Sequence, residues 1–301
     1  LQGRVDKAEV VGAYEPWVVE TFSGVLSIDE VYDKRFGILF ATDPVIKIVV
    51  GHLVNGANIT QEEIKEFLLY LKNMGLNVRM VITDGSHLYS DEVLKDIFPE
   101  VEHQLCHFHL LKNISQDALK SIKGIRDEIK SLIPKRGKGR PKKGDKEENE
   151  EIRRLKKDKG EIFKDRFLFM KREENLSVEE KVKREKLEGK YPKLKMIRGV
   201  ISVIHELFSS QTYEAARDKY EEILRSEFIA NPLTCEIIGH IKDRAVFEKA
   251  FTYLRLRIPQ RTNNHVERQN RWFRKIQKSC NKLRKSQTIT NRINLDIKMH
   301  R

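Results

Sequence analysis

Three strand-like runs follow one another with almost no chain between them. They are Val25 to Tyr32, Phe36 to Thr42 and Val45 to Val54, separated by short turns around Asp33-Lys34 and Asp43-Pro44. Connections this tight predict an antiparallel meander. The first run, VLSIDEVY, carries Asp29 in the middle of an otherwise apolar, sheet-forming segment. A carboxylate on a central strand is costly unless it is paired or bound to a metal, so Asp29 is a candidate functional residue on physical grounds.

The chain beyond the meander supplies the other layers. Thr60 and Glu63 form a capping box, Ile64, Phe67, Leu68 and Leu71 make one apolar stripe, and Gly75 is placed to end the helix. Val78 to Thr83 is almost wholly apolar, as expected of a strand covered on both faces, and runs into Asp84-Gly85. Ser90 to Phe98 reads as a helix, Val101 to Leu105 as a short strand, and Phe108 to Ile133 as a long helix closed by Pro134. This order predicts an α/β domain with a mixed sheet.

Residues 1–24 show little periodicity and contain Pro16 and Trp17, which reads as a lead-in or linker. The chain opens without methionine inside that segment, so an N-terminal portion is expected to be missing, and a separate sequence-reading domain would fit there. The first part of the core is assigned to 25–133. From Pro134 to Glu150 the composition becomes polar and charged, a solvated linker whose centre, Arg136 to Lys143, also resembles a short minor-groove arm. With the charged helices that follow, including a second capping box at Ser177 and Glu180 and an apolar segment from Leu194 to Phe208, it makes an all-α insertion over 134–240. The core resumes over 241–301.

Lysine and arginine number 58 against 45 acids, a formal charge of +13. That favours an anionic polymer as partner, through release of its counterions. Cys106, Cys235 and Cys280 are odd in number and widely spaced, which argues against a disulfide framework and for a reducing compartment. No apolar run reaches membrane-spanning length. The expected location is cytoplasmic and nucleoid-associated in a prokaryote, nuclear in a eukaryote.

Arg261 to Leu283 is the last informative stretch. On a helix, Asn263, Glu267, Asn270, Arg271 and Arg274 would share a polar, basic face, while Val266, Phe273, Ile276 and Cys280 would pack on a core. If the strands carrying Asp29 and Asp84 are neighbours, their carboxylates converge, and Glu267 could join them from this helix. Such an all-oxygen set suits magnesium or manganese, and two such ions can assist an in-line phosphoryl displacement. Each acid also has a plain structural account. Asp29 could pair with a lysine, Asp84-Gly85 could be only a turn, and Glu267 has capping-box spacing from Asn264. A zinc site from His103, Cys106, His107 and His109 is the lesser reading, since no second pair follows at zinc-finger spacing. His87 could touch a scissile phosphate, though a helix-start role is the plainer account.

Together LSIDEVY, VITDGSHLY, QLCHFHLLKNI and RTNNHVERQNR resemble the catalytic domain of ribonuclease H-like DDE transposases, in the branch of mutator-like and related bacterial or archaeal insertion-sequence enzymes. The resemblance spans about residues 25 to 285. It implies a ribonuclease H-like mixed sheet with helices on both faces, interrupted by an all-α insertion domain. It further implies that Asp29, Asp84 and Glu267 bind two Mg²⁺ or Mn²⁺ ions, cut transposon ends and direct the freed 3′ hydroxyl onto target DNA. Cys106 and His109 would sit near the DNA ends, and Asn263, Asn264 and Arg268 would contact the backbone. Lys112, Arg271 and Arg274 would hold phosphates, in a homodimer or larger synaptic assembly. Related enzymes often place a tryptophan in the insertion to stack on a flipped or terminal base; Trp17 and Trp272 both lie outside it, so that role is either unfilled or falls to Phe or Tyr. A nuclease that cuts without joining, and a non-catalytic DNA-binding derivative, are the alternatives.

Overall fold

The computed structural model describes residues 7–33, 35–56, 58–134, 150–279 and 283–299. Cys280 and the stretch Arg136 to Lys143 lie outside the described residues. The chain divides into two compact units, Leu1–His109 with Glu248–Arg301, and Leu110–Phe247.

The first unit opens with a helix, α1 (Lys7–Thr21), where the sequence suggests only a lead-in. Pro16 interrupts the pattern that would announce it, yet Tyr14, Trp17, Val18 and Val19 pack on the sheet core, and Tyr14 Oη donates to Val49 O at 2.6 Å. The predicted meander follows as β1 (Val25–Asp33), β2 (Phe36–Asp43) and β3 (Ile48–Asn55). Helix α2 (Gln61–Asn73) begins with both halves of the Thr60–Glu63 capping box formed. Next come β4 (Met80–Thr83), α3 (Asp91–Ile97), β5 (Glu102–Leu105) and α4 (His107–Ser131), whose first turn belongs to this unit and the remainder to the other.

The five strands lie in the order β3-β2-β1-β4-β5. β1 is antiparallel to β2 and parallel to β4, and β4 is parallel to β5, so the strand bearing Asp29 is central. Side chains alternate across it: Leu26 and Ile28 face α2 and α3, whereas Val25 and Val31 face the other way. The edge strand β5 is covered: Thr252 Oγ1 donates to His103 O at 2.9 Å, which occupies part of an otherwise open hydrogen-bonding edge.

The second unit is helical among its described residues. After α4 it contains α5 (Glu150–Asp165), α6 (Val178–Lys190), α7 (Pro192–Phe208), α8 (Tyr213–Arg225) and α9 (Cys235–Lys242). The Ser177–Glu180 capping box is formed, and α7 buries Leu194, Ile197, Ile201, Ile204 and Phe208. Helix α10 (Arg244–Ala250) passes from the second unit into the first, which then completes itself with α11 (Thr252–Arg255), α12 (Asn264–Ser279) and α13 (Ser286–Met299). Val266, Phe273, Ile289 and Ile293 from the last two helices cover the Val31 face of the sheet. No helix among the described residues is long and apolar enough to cross a membrane.

Candidate active site

The parallel pairing of β1 with β4 sets the first two acids side by side. Ser27 stands opposite Ile82, and two residues further along each strand come Asp29 and Asp84. Because side chains repeat every second residue, both project on the side of Val25, Met80 and Ile82. β4 stops at Thr83, and the chain turns at Gly85, whose φ of +88° suits glycine. A Cβ there would also meet Leu105 Cδ2 at 3.2 Å. Asp84 Oδ1 accepts from Ser86 N at 2.8 Å, so the turn reading of Asp84-Gly85 is correct but spends only one oxygen.

α12 is anchored across this point by residues that the sequence assigns to DNA contact. Cys106 Sγ donates to Asn263 Oδ1 at 3.0 Å, and Asn263 N donates back to the sulfur at 3.4 Å. Both side chains have 0% exposure. They therefore offer no surface to DNA and instead fix the start of α12 to the end of β5. Burial raises the Cys106 thiol above its ordinary value. His107 N donates to Arg261 O at 3.1 Å. The His107 ring is buried, gives Nε2–H to Ala250 O at 2.6 Å, and is pushed down to about 4, chiefly by burial.

From this anchor α12 presents Glu267 and Asn270 toward β1. Asn270 Nδ2 donates to Asp29 Oδ2 at 2.9 Å, while Asp29 Oδ1 accepts from Glu30 N at 3.1 Å. Glu267 Oε1 lies 3.6 Å from His109 Nε2, and Oε2 lies 3.5 Å from Arg271 Nη2. Oε1 is buried and has no hydrogen-bond partner among the described residues, which is not what a capping residue looks like. Asn270 Oδ1, Asn263 Nδ2 and His109 Nδ1 are likewise buried without a partner among those residues.

The faces of α12 differ from the sequence expectation. Asn263, Val266, Asn270 and Phe273 are buried together, with Glu267 only 15% exposed, so the acid-bearing face is the sheet-facing one. The solvent side carries Asn264, Arg268, Arg271, Arg274 and Lys278 instead. Lys112 is exposed on α4, within the second unit. The grouping His103, Cys106, His107 and His109 does not form a zinc site either: each goes to a different partner. His103 bridges Thr83 Oγ1 and Asp91 Oδ1, both at 2.8 Å. His87 lies exposed in a short 3₁₀ turn, its carbonyl accepting from Gln61 Nε2 at 2.7 Å.

Asp29 is the electrostatic centre of the cluster. Its carboxyl is raised from 3.8 to about 7, first by burial and then by the charges of Glu30, Asp84 and Glu267. Glu30 points to the opposite face, where it accepts a hydrogen bond from Tyr89 Oη, and burial raises it too. Among the described residues no three His, Cys, Asp or Glu side chains are gathered closely enough to enclose an ion. The donor set nevertheless fits a hard divalent cation. It is all oxygen, its members feel one another's charge, and Glu267 keeps a buried oxygen unspent.

Three contributors have partners that the sequence does not announce. Glu30 is masked by its neighbour Asp29. Asn270 falls on the Glu267 face by helical spacing, but its partner is 241 residues away. Gln104 is wholly buried, donating to Leu105 O and Ala250 O at 2.6 and 2.8 Å and accepting from Tyr253 N at 2.8 Å, which ties β5 to the segment leading into α12.

A five-stranded mixed sheet in this order, with one acid in its central strand, a second just past the end of the parallel strand beside it and a third on the helix crossing them, is a ribonuclease H-like fold. Residues 26–293 match the model of a family described as "Transposase". That is most of the chain, and it belongs to the ISL3 family of DDE transposases. The resemblance to insertion-sequence enzymes is thereby narrowed to that family, and the mutator-like part of it is not what the match names. No curated protein matches the chain significantly.

Proposed function

We propose that the chain carries the phosphoryl-transfer centre of an insertion-sequence transposase, with Asp29, Asp84 and Glu267 as its three acids. The observation that carries the reading is the crowding at Asp29, where a central-strand carboxyl is pushed up to about 7 by burial and by three neighbouring acids. Like charges gathered in a buried site are unfavourable unless a cation offsets them. Asp29, Asp84 and Glu267 would hold Mg²⁺ or Mn²⁺, in all two ions. When bound, such ions polarise a phosphoryl oxygen and activate a water or a 3′ hydroxyl.

The protein's own groups set the stage for cleavage of an element end and joining to target DNA. Asn270 holds one oxygen of Asp29 in place through its amide hydrogen, leaving the carboxylate a fixed direction. The Cys106–Asn263 contact fixes the first turn of α12, and so the position of Glu267 one turn along. His109, beside Glu267 and one-fifth exposed, is the group best placed to meet a DNA end there. Asn264, Arg268, Arg271 and Arg274 lie on the outer side of the same helix, where an amide and three guanidinium groups suit phosphate oxygens. Lys112 adds a further exposed cation on α4. Such binding weakens as salt rises. Holding two element ends calls for a homodimer or larger assembly.

Labelled DNA carrying the element's own ends, incubated with Mn²⁺ or Mg²⁺, tests this reading. Cleavage at the end by the intact chain, abolished by Asp84→Asn with DNA binding kept, is the expected result. Cleavage that survives Asp84→Asn would remove Asp84 from the site.

A further inference from the structure

The peptide that follows Asp84 is held from the opposite face of the sheet. Thr83 ends β4 and is wholly buried, and the alternation along the strand turns it to the α3 side, away from the acids. Its Oγ1 accepts from Gly85 N at 3.2 Å, while Asp84 Oδ1 accepts from Ser86 N at 2.8 Å. Asp84 is thus fixed twice, its following peptide by the Thr83 hydroxyl and its carboxylate by Ser86.

The hydroxyl has its own chain of partners. Thr83 Oγ1 lies 2.8 Å from His103 Nε2, and His103 Nδ1 lies 2.8 Å from Asp91 Oδ1. Lys249 Nζ lies 2.9 Å from the same Asp91 oxygen. Hydrogen bonds from His103 and then from Lys249 hold the Asp91 carboxyl well below its ordinary value, so it is an anion. A carboxylate only accepts, and His103 therefore donates through Nδ1–H. In the tautomer this sets, Nε2 accepts the Thr83 hydroxyl hydrogen, and every hydrogen from Gly85 N to Asp91 points the same way.

Packing alone does not call for this chain. His103 pairs in register with Val81, which is apolar and wholly buried, and Val93 and Leu94 of α3 belong to the same core layer. Apolar side chains at 83 and 103 would fill that layer at little cost, since replacing both partners of a buried hydrogen bond is close to neutral. What the polar chain adds is direction at the Asp84–Gly85 peptide, where the backbone turns to a φ of +88°. Groups that orient a metal ligand through such bonds tune how tightly the ion is held.

We propose that Thr83, His103 and Asp91 are positioning residues for Asp84, acting through the Gly85 amide to keep its carboxylate in the orientation that binds the metal. The inference rests on the reading of Asp84 as a metal ligand. None of the three touches the reacting atoms, and their effect is on how firmly the ion is held. Lys249 fixes the far end of the relay by holding Asp91.

The test is Mn²⁺ binding to the full chain, followed by loss of the free ion's electron paramagnetic resonance signal, beside thermal unfolding in EDTA to confirm the fold. Thr83→Val removes the hydroxyl with little change of shape, and Thr83→Ser restores it. Thr83→Val should weaken Mn²⁺ binding by about tenfold, and Thr83→Ser should stay within about twofold of the wild type. Raising Mn²⁺ should recover cleavage by Thr83→Val, because the defect lies in holding the ion. A folded Thr83→Val that binds Mn²⁺ like the wild type, or a Thr83→Ser as weak as Thr83→Val, overturns the proposal. Should Thr83→Val fail to fold, Thr83→Val combined with His103→Leu, which removes both partners, decides by the same measure. Asp84→Asn separates the two claims. Mn²⁺ binding lost by Asp84→Asn but kept by Thr83→Val faults the relay alone, whereas binding kept by Asp84→Asn faults the reading of Asp84 as a ligand and the relay with it.

Discussion

Asp29→Asn should make the metal-free protein more stable at neutral pH, although it removes a proposed catalytic group. Folding moves this carboxyl from 3.8 to about 7. The folded state therefore holds a proton that the unfolded chain releases. The penalty is absent below about pH 4, grows as pH rises, and is complete above about pH 7. At about 1.4 kcal/mol per pH unit the interval is worth roughly 4 kcal/mol. The substituted amide can accept from only one of the two donors that Asp29 now serves, Asn270 Nδ2 and Glu30 N, which gives back about 1 kcal/mol. A net gain of roughly 2–3 kcal/mol should raise the melting temperature by roughly 5 °C. The assay is thermal unfolding in EDTA at pH 5 and pH 8, wild type beside the variant. The gain should be large at pH 8 and mostly gone at pH 5. His107, buried neutral and held at about 4, loses stability in the opposite sense as pH falls from its ordinary 6.5, but it does so in both proteins and cancels in the difference. A variant that melts at or below the wild type at pH 8, or by the same margin at both pH values, would refute the reasoning.

Gln104→Leu should destabilise the chain by about 2 kcal/mol, because Leu105 O and Tyr253 N lose a buried partner while Ala250 O keeps His107, and urea unfolding would register it as a lower midpoint. Asn270→Ala should slow metal-dependent cleavage by roughly tenfold with little change in DNA affinity, since it unfixes Asp29 without touching the outer face of α12. Alkylation followed by mass spectrometry should modify the partly exposed Cys235 well before the buried Cys106, whose thiol is also raised by burial. Arg268→Ala with Arg271→Ala should lower the salt dependence of DNA binding by about two in the log–log slope, measured by titration at several salt concentrations.

Much of the sheet was legible because its signals are local. Tight turns announced the meander, capping residues marked α2 and α6, and the strand-end position of Asp84 paired it with Asp29 once β4 was placed beside β1. What was not legible depends on distant partners. Helix α1 hides behind Pro16 and gains its order from packing on the sheet core. The motif residues Cys106 and Asn263 look like surface ligands in sequence, yet they bury each other across 157 residues. The faces of α12 are not legible in the sequence, because Asn263 and Asn270 count as solvent-facing by polarity yet are buried. In the fold their amides serve Cys106 and Asp29, so polarity there marks the site and not the surface. Glu267 could be separated from a capping residue only by its unspent oxygen, a property of the packed site.

The assignment of the third acid is tested by strand transfer with pre-cut DNA ends bearing a free 3′ hydroxyl, supplied with Mn²⁺, comparing the full chain with Glu267→Gln. The account predicts joined product from the wild type and none from the variant, with equal binding of the ends by both. Joining by Glu267→Gln at the wild-type rate would contradict it, and would return Glu267 to a structural role at the start of α12.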